Sequence, residues 1–183
     1  MPTYLVSCKH NIYRFIKVPS ARGITHADSV HGVPTFTRMK YVAVAVWWNS
    51  LDNENTIWDI DLDGVRDKLN IVEQYYRDMS WNKVNLTIAL HSEQVVLQMS
   101  EDDSGTSAFA SAGRALVADL GYTEGVDYDG IIIITFTGES ATSNWAHVNG
   151  NFATIIYSQQ YSISSHAVRH EIGHNIGHEH HSE

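Results

Sequence analysis

The chain has 183 residues, a formal net charge of −9 and a hydrophobic content of 43%. This length suits one domain with a proper core, and the acidic balance argues against a nucleic-acid partner. No apolar run approaches the ~20 residues of a membrane-spanning helix. The single cysteine, Cys8, cannot form an internal disulfide. We therefore expect a globular fold without disulfides that binds neither nucleic acid nor membrane.

The first third of the chain divides into an irregular part and a patterned part. Residues 1–38 show no clear periodicity, so we interpret them as a poorly ordered leader or propeptide remnant, followed by a folded domain over 39–183. Valine, alanine and aromatic residues from 40 to 48 predict a buried first strand. Apolar residues at helical spacing predict a helix over 63–79 with Asp63 as its N-cap.

The rest of the domain alternates strand and helix patterns. Residues 81–91 alternate as a half-buried strand does, and the alanine-rich stretch 107–120 predicts a helix that ends at Gly121. Four consecutive isoleucines within 129–136 predict a central strand buried on both faces. A pair of shorter strands follows within 144–157. This order predicts an α/β fold with a mostly parallel sheet.

Histidine and glutamate residues near the end of the chain follow the pattern H-E-x-x-H-x-x-G-x-x-H. Because residues four apart lie on one face of a helix, His170 and His174 can direct both imidazoles at one metal ion. Glu171 lies beside them and can act as a general base without being a ligand. Gly177 can take a positive φ and end the helix, so that His180 returns to the metal. The pattern predicts a zinc site with three histidine ligands.

Other readings of the charged and histidine-rich stretches are less favoured. On an unbroken helix His178 would lie roughly 12 Å along the axis from His170, too far to share one ion, so we interpret His178 and His181 as neighbours of the site. The alternative to a built site is a tail that binds metal non-specifically. The acidic residues 101–105 carry carboxylates of the kind that bind Ca²⁺, although we favour a solvated loop over a calcium site there.

The zinc pattern resembles the long signature of the metzincin metallopeptidases. The stretches 144–157 and 72–84 look most similar to gametolysin-type or immune-inhibitor-type peptidases, and the broad resemblance covers about residues 40–180. It implies that 39–183 is a metzincin-like catalytic domain, with a mostly parallel twisted sheet, an antiparallel edge strand and two large helices, one of them the zinc helix. Residues 144–149 are our candidate for the edge strand, against the alternative of a simple hairpin arm.

The resemblance also implies a zinc-dependent endopeptidase in which Glu171 is the general base. A polypeptide substrate would lie extended along the edge strand. The substrate-binding candidates are Asn144, Trp145, Ala146 and His147. Such peptidases act outside the cell, so we expect an extracellular protein, and we expect a monomer. The first twenty residues show no signal peptide, which indicates an incomplete N-terminus.

The chain departs from the metzincin pattern after the third histidine. Metzincins carry a methionine turn beneath the metal, whereas all four methionines here lie upstream and the sequence ends at Glu183. We therefore expect either a fragment or truncated gene, or another element beneath the metal. The alternatives to a peptidase are a truncated or decayed zinc-binding module without catalysis, and a zinc amidohydrolase or esterase that acts on another substrate.

The choice of third ligand predicts different outcomes for two substitutions. His180→Ala should weaken zinc binding by at least about 100-fold, since losing a group that only orients a ligand already costs about 10–100-fold. His178→Ala should leave the affinity within about threefold if that side chain is only a neighbour of the metal. Competition titration against a chromophoric chelator measures both, and the reverse ranking would make His178 the third ligand.

Overall fold

The computed structural model describes residues 25–26, 37–48, 59–99, 107–136, 144–157 and 162–177. Within these residues one seven-stranded sheet is flanked by three helices. In chain order the elements are β1 (Thr25–His26), β2 (Thr37–Trp48), α1 (Leu62–Met79), β3 (Val84–Leu90), β4 (Val95–Leu97), α2 (Ser107–Asp119), β5 (Gly130–Phe136), β6 (Trp145–Ala146), β7 (Phe152–Tyr157) and α3 (Ser165–Asn175). None of the described helices is long and apolar enough to cross a membrane.

The sheet is mostly parallel, which confirms that part of the predicted fold class. β2 pairs in parallel with β3, β4 and β5, and β5 pairs in parallel with β7. β1 and β6 pair antiparallel, with β2 and β7 respectively. β6 ends the described strand order next to β7, so it is the antiparallel edge strand expected within 144–149. A short turn joins β6 to β7, so β6 is also the arm of a hairpin.

The sheet separates two apolar clusters because successive side chains of a strand point to opposite faces. In β5, Ile132 and Ile134 pack with α1 and α3 on one face, whereas Ile131 and Ile133 pack with α2 on the other. Every residue of β5 is buried, as predicted for a central strand covered on both sides. The result is a three-layer arrangement in which α3 shares its face with α1.

The resemblance implied two large helices, one of them the zinc helix. The described part of the chain has three helices, of 18, 13 and 11 residues, and the helix that carries the histidines is the shortest. The N-cap of α1 is Asp61 and not Asp63: the Asp61 carboxylate accepts a hydrogen bond from the Gly64 N–H at 2.9 Å. Asp63 lies within the first turn, where its negative charge is stabilised by the helix dipole.

One strand boundary and two short strands differ from the sequence expectation. β2 begins at Thr37, two residues before the predicted start of the domain, and Thr25–His26 pairs with its first residues. The sequence analysis did not predict β4, because three residues are too few to show an alternating pattern. The division into a leader and a catalytic domain is otherwise a prediction, since most of residues 1–36 lie outside the described part of the chain.

α2 lies close to the sheet at Gly113. A Cβ there would lie 2.8 Å and 2.9 Å from two ring carbons of Phe152 and 3.2 Å from Ile133. Phe152 is fully buried and its ring is in contact with the rings of Phe109 and Trp145. The ring therefore has little room to move away from a larger residue on the helix.

Gly113→Ala should destabilise the protein by about 1–2 kcal/mol, because overpacking costs of about 1–3 kcal/mol exceed the gain of up to ~1 kcal/mol in helix propensity. Chemical denaturation measures this change. The same substitution in a Phe152→Leu background should cost less, since the opposing ring is gone. An equal cost in both backgrounds would mean that the contact with Phe152 does not limit the packing.

Candidate metal centre

α3 carries the histidine pattern and has defined ends. The Ser164 side chain caps its N-terminus by accepting a hydrogen bond from Ala167 N–H. The helix ends at Asn175, and Gly177 has a φ of 99° while its N–H donates to the His174 carbonyl at 2.9 Å. This is the left-handed conformation that glycine adopts without a steric cost. The chain therefore leaves the helix axis just after the two histidines.

His170 and His174 direct the same ring nitrogen at a common point. Their Nε2 atoms lie 3.0 Å apart, and the two rings meet edge to face with centroids 4.5 Å apart. Two nitrogens that bind one tetrahedral zinc at ~2.0–2.1 Å are about 3.3 Å apart. The pair therefore fits a shared zinc ion with only a small outward movement. His174 is buried and His170 is exposed, so the site would open to solvent on the His170 side.

Glu171 lies between the two histidines in sequence and is buried, with 4% of its surface exposed. Its Oε2 atom has no hydrogen-bond partner among the described residues. Burial raises the pKa of the Glu171 carboxyl above its usual value, and the nearby His174 opposes this rise. A buried carboxylate oxygen without a partner is costly to maintain and is typical of a group that acts on a ligand.

The predicted third ligand, His180, lies outside the part of the chain that the structure describes. The described residues contain no group of three or more histidine, cysteine, aspartate or glutamate side chains arranged to hold a metal ion. His180 and its neighbours beyond Gly177 are outside the described ranges, as is the acidic stretch 101–105. His166 lies one turn before His170, exposed, with its ring 6.5 Å from that of His170. The structure thus brings together two of the three predicted ligands and the predicted base.

The four substrate-binding candidates lie on or beside β6, with their side chains turned to different partners. The Asn144 side chain accepts a hydrogen bond from Ile156 N–H. The rings of Trp145 and His147 contact Phe152 on the α2 face of the sheet, while Ala146 packs on the α3 face. Burial lowers the pKa of His147, and the Arg114 charge lowers it further. The Trp145 and His147 rings therefore lie on the face of the sheet opposite the zinc pattern.

Asn175, the last residue of α3, is not among the site residues that the sequence predicts. Its side chain is buried and donates hydrogen bonds to the carbonyls of His147 and Phe152, at 3.0 Å and 3.1 Å. The side-chain amide oxygen of Asn175 accepts a hydrogen bond from the Tyr41 hydroxyl at 3.3 Å. The residue type was a signal in the sequence. Asparagine is unfavourable inside a helix, and its side chain often forms hydrogen bonds with backbone groups.

Comparisons with known proteins give only distant likenesses. No protein-family model and no curated protein matches the chain. A solved chaperone–substrate complex is similar at 16% identity and a TM-score of 0.49, covering 81% of this chain, which spans 28% of that one. Archaemetzincin from Methanopyrus kandleri is similar at 16% identity and a TM-score of 0.41, covering 79% of this chain and 76% of its own. Neither likeness assigns the chain to a family.

The environment of Glu171 predicts how the metal-free protein responds to pH. The Glu171 carboxyl has a higher pKa in the folded protein than in the unfolded chain. At a pH above the folded-state pKa, the ionised carboxylate therefore lowers the stability of the folded protein. This loss of stability disappears as the pH falls towards the pKa of the unfolded chain. Glu171→Gln should therefore raise the Tm at pH 8 by about 2–4 °C, the shift that ~1 kcal/mol produces in a domain of this size. The advantage should shrink towards pH 5.

Thermal unfolding followed by circular dichroism, in the presence of a chelator, measures the effect of Glu171→Gln. The matched control is Glu73→Gln, where the carboxylate accepts a hydrogen bond from Ile88 N–H at 2.7 Å and should give no increase in Tm. A Glu171→Gln protein that is less stable than the wild type at pH 8 would show that the buried carboxylate is well stabilised.

Proposed function

We propose that the protein is a zinc-dependent endopeptidase of the metzincin type. The observation that supports this most strongly is the convergence of the His170 and His174 Nε2 atoms, 3.0 Å apart, together with the buried Glu171, whose Oε2 has no hydrogen-bond partner among the described residues. His180 would complete the zinc ligands, and the positive φ of Gly177 would allow the change of chain direction that this requires. An extracellular, monomeric enzyme acting on polypeptides is the expectation that goes with this proposal.

In the proposed hydrolysis, the metal ion and the protein side chains would have different roles. A zinc ion held by the three histidines would supply a Lewis acid for water activation and for polarising the scissile carbonyl. Glu171 would accept a proton from the attacking water at its carboxylate and later pass it to the leaving nitrogen. Its raised pKa supports this role, because a carboxylate that binds protons more tightly is a stronger base at neutral pH.

The substrate would bind through the main chain of β6. Trp145 pairs with Thr154, and His147 N–H donates to the Phe152 carbonyl, so both residues use their backbone groups towards β7. In an antiparallel pair these groups alternate, so the N–H and C=O of Ala146 point away from β7. A peptide added as a further strand would hydrogen-bond there. Ala146 also packs on the face that α3 covers.

This arrangement changes the role of the predicted substrate residues. The side chains of Trp145 and His147 would support β6 from the opposite face through their contacts with Phe152. The backbone around Ala146 would make the direct contacts. The gametolysin-type or immune-inhibitor-type subfamily is proposed from the sequence resemblance alone, and the specificity of cleavage is outside this proposal.

Glu171→Ala should abolish most hydrolysis while the protein keeps one zinc per chain. Loss of a general base lowers kcat by about 10²–10⁴-fold. His174→Ala should lose both tight zinc and activity, because it removes a ligand. The control is His91→Ala: this histidine contacts the Tyr122 hydroxyl, away from α3, and its loss should change neither property.

Hydrolysis of denatured casein and zinc content by mass spectrometry measure these outcomes. Proteolysis by zinc-loaded Glu171→Ala would exclude Glu171 as the base. A wild-type protein that binds one zinc but cleaves no peptide at any pH would contradict the peptidase proposal. It would leave a non-catalytic zinc module, or an amidohydrolase or esterase that a panel of small substrates would reveal.

A further inference from the structure

The end of α3 is attached to the turn between β6 and β7. Asn175 donates from its one amide nitrogen to the carbonyls of His147 and Phe152, the two residues that flank the turn. One residue earlier, the His174 carbonyl accepts a hydrogen bond from Asn149 N–H at 2.9 Å. Two consecutive helix residues therefore make three hydrogen bonds to one short segment that is distant in sequence.

The same two carbonyls also close the turn. His147 N–H donates to the Phe152 carbonyl at 3.1 Å, and Gly150 N–H donates to the His147 carbonyl at 3.0 Å. Each carbonyl thus accepts one bond from within the hairpin and one from Asn175. A Cβ at Gly150 would overlap the Cβ of His147. The turn is therefore compact, and Asn175 binds at the point where its two ends meet.

A residue of the sheet holds the Asn175 side chain in place. The side-chain oxygen of Asn175 accepts a hydrogen bond from the hydroxyl of Tyr41, which is buried on β2. The Tyr41 ring covers Gly130 so closely that a Cβ at that position would overlap the ring. Burial raises the pKa of the Tyr41 hydroxyl, and the Asp129 charge raises it further, so the hydroxyl keeps its proton and acts as a donor. The amide orientation of Asn175 is thereby set, with its nitrogen towards the turn.

We propose that Asn175 is a positioning residue that fixes edge strand β6 relative to the histidines and glutamate of α3. It follows His174 directly and is bonded to His147, the residue that follows β6, so one side chain joins the peptide-binding strand to the metal-binding helix. This inference rests on the proposed function for its consequence in catalysis. Its structural part, the attachment of the turn to α3, does not depend on hydrolysis.

The consequence for a substrate depends on its length. A peptide long enough to pair with β6 would require that strand to lie at a fixed distance from Glu171. Without the Asn175 bonds, β6 would be free to move and the bound peptide would lose its alignment. Asn175→Ala should therefore raise KM for a long peptide more than it lowers kcat, and it should change kcat/KM for a minimal blocked dipeptide substrate much less.

Hydrogen exchange of the zinc-loaded protein, measured by mass spectrometry, tests the attachment directly. In Asn175→Ala the amides of His147, Asn149 and Gly150 should exchange at least about tenfold faster than in the wild type, since the two hydrogen bonds from the Asn175 amide to the turn are lost. Asn175→Asp should act in the same direction, because a carboxylate of the same shape can still accept from Tyr41 but cannot donate to the two carbonyls.

A matched control separates positioning from general loss of stability. Ser80 is buried at the end of α1, where its hydroxyl donates to the Arg77 carbonyl and accepts from Val84 N–H. Ser80→Ala also removes two buried hydrogen bonds, but far in sequence from the turn. It should lower the Tm while leaving the exchange of residues 147–150 and the long-peptide KM unchanged.

The possible results have distinct meanings. Faster exchange confined to the turn in both Asn175 variants, with an increased long-peptide KM, supports the proposal. Unchanged exchange, or the same increase in Ser80→Ala, overturns it. Faster exchange with an unchanged long-peptide KM overturns its catalytic part. If the wild type cleaves no substrate, the proposed function fails, and the exchange result still decides whether Asn175 holds β6 to α3.

Discussion

The docking of α3 on the parallel sheet is the constraint on which the rest of the site depends. Val168 and Ile172 are fully buried against the sheet, which fixes how the helix is rotated about its axis. That rotation leaves His170 exposed and His174 buried, with both Nε2 atoms at one point. It also places Glu171 inside the protein, where its carboxylate has lost solvent. The geometry of the histidine pattern follows from the packing of two apolar residues.

The sheet supports this docking because its strands near α3 are covered on both faces. α2 closes the opposite face through Phe109 and Phe152, and Gly113 allows the close approach. Edge strand β6 then has aromatic rings on one side and α3 on the other. In the described part of the chain no strand pairs with the outer side of β6, and this outer edge together with the support on both faces is what strand addition by a peptide requires.

The periodic helices and strands and the histidine pattern could be predicted from the sequence, because both depend on the spacing of nearby residues. Four isoleucines predicted the buried central strand, and i, i+4 histidines predicted the shared metal site. The side-chain directions in β6 could not be predicted, since a shift of one residue in a two-residue strand exchanges the faces of Trp145 and Ala146. The role of Asn175 depends on partners distant in sequence. Both features required three-dimensional contacts.

X-ray absorption spectroscopy at the zinc edge is the measurement that tests the central claim most directly. In protein loaded with one equivalent of zinc, we predict about three imidazole ligands and one lighter oxygen ligand, with distances near ~2.0–2.1 Å. The imidazole signal should fall by one ligand in His170→Ala and in His174→Ala. A spectrum that is unchanged by both substitutions would show that zinc binds elsewhere, and the account of α3 as a metal-binding helix would be wrong.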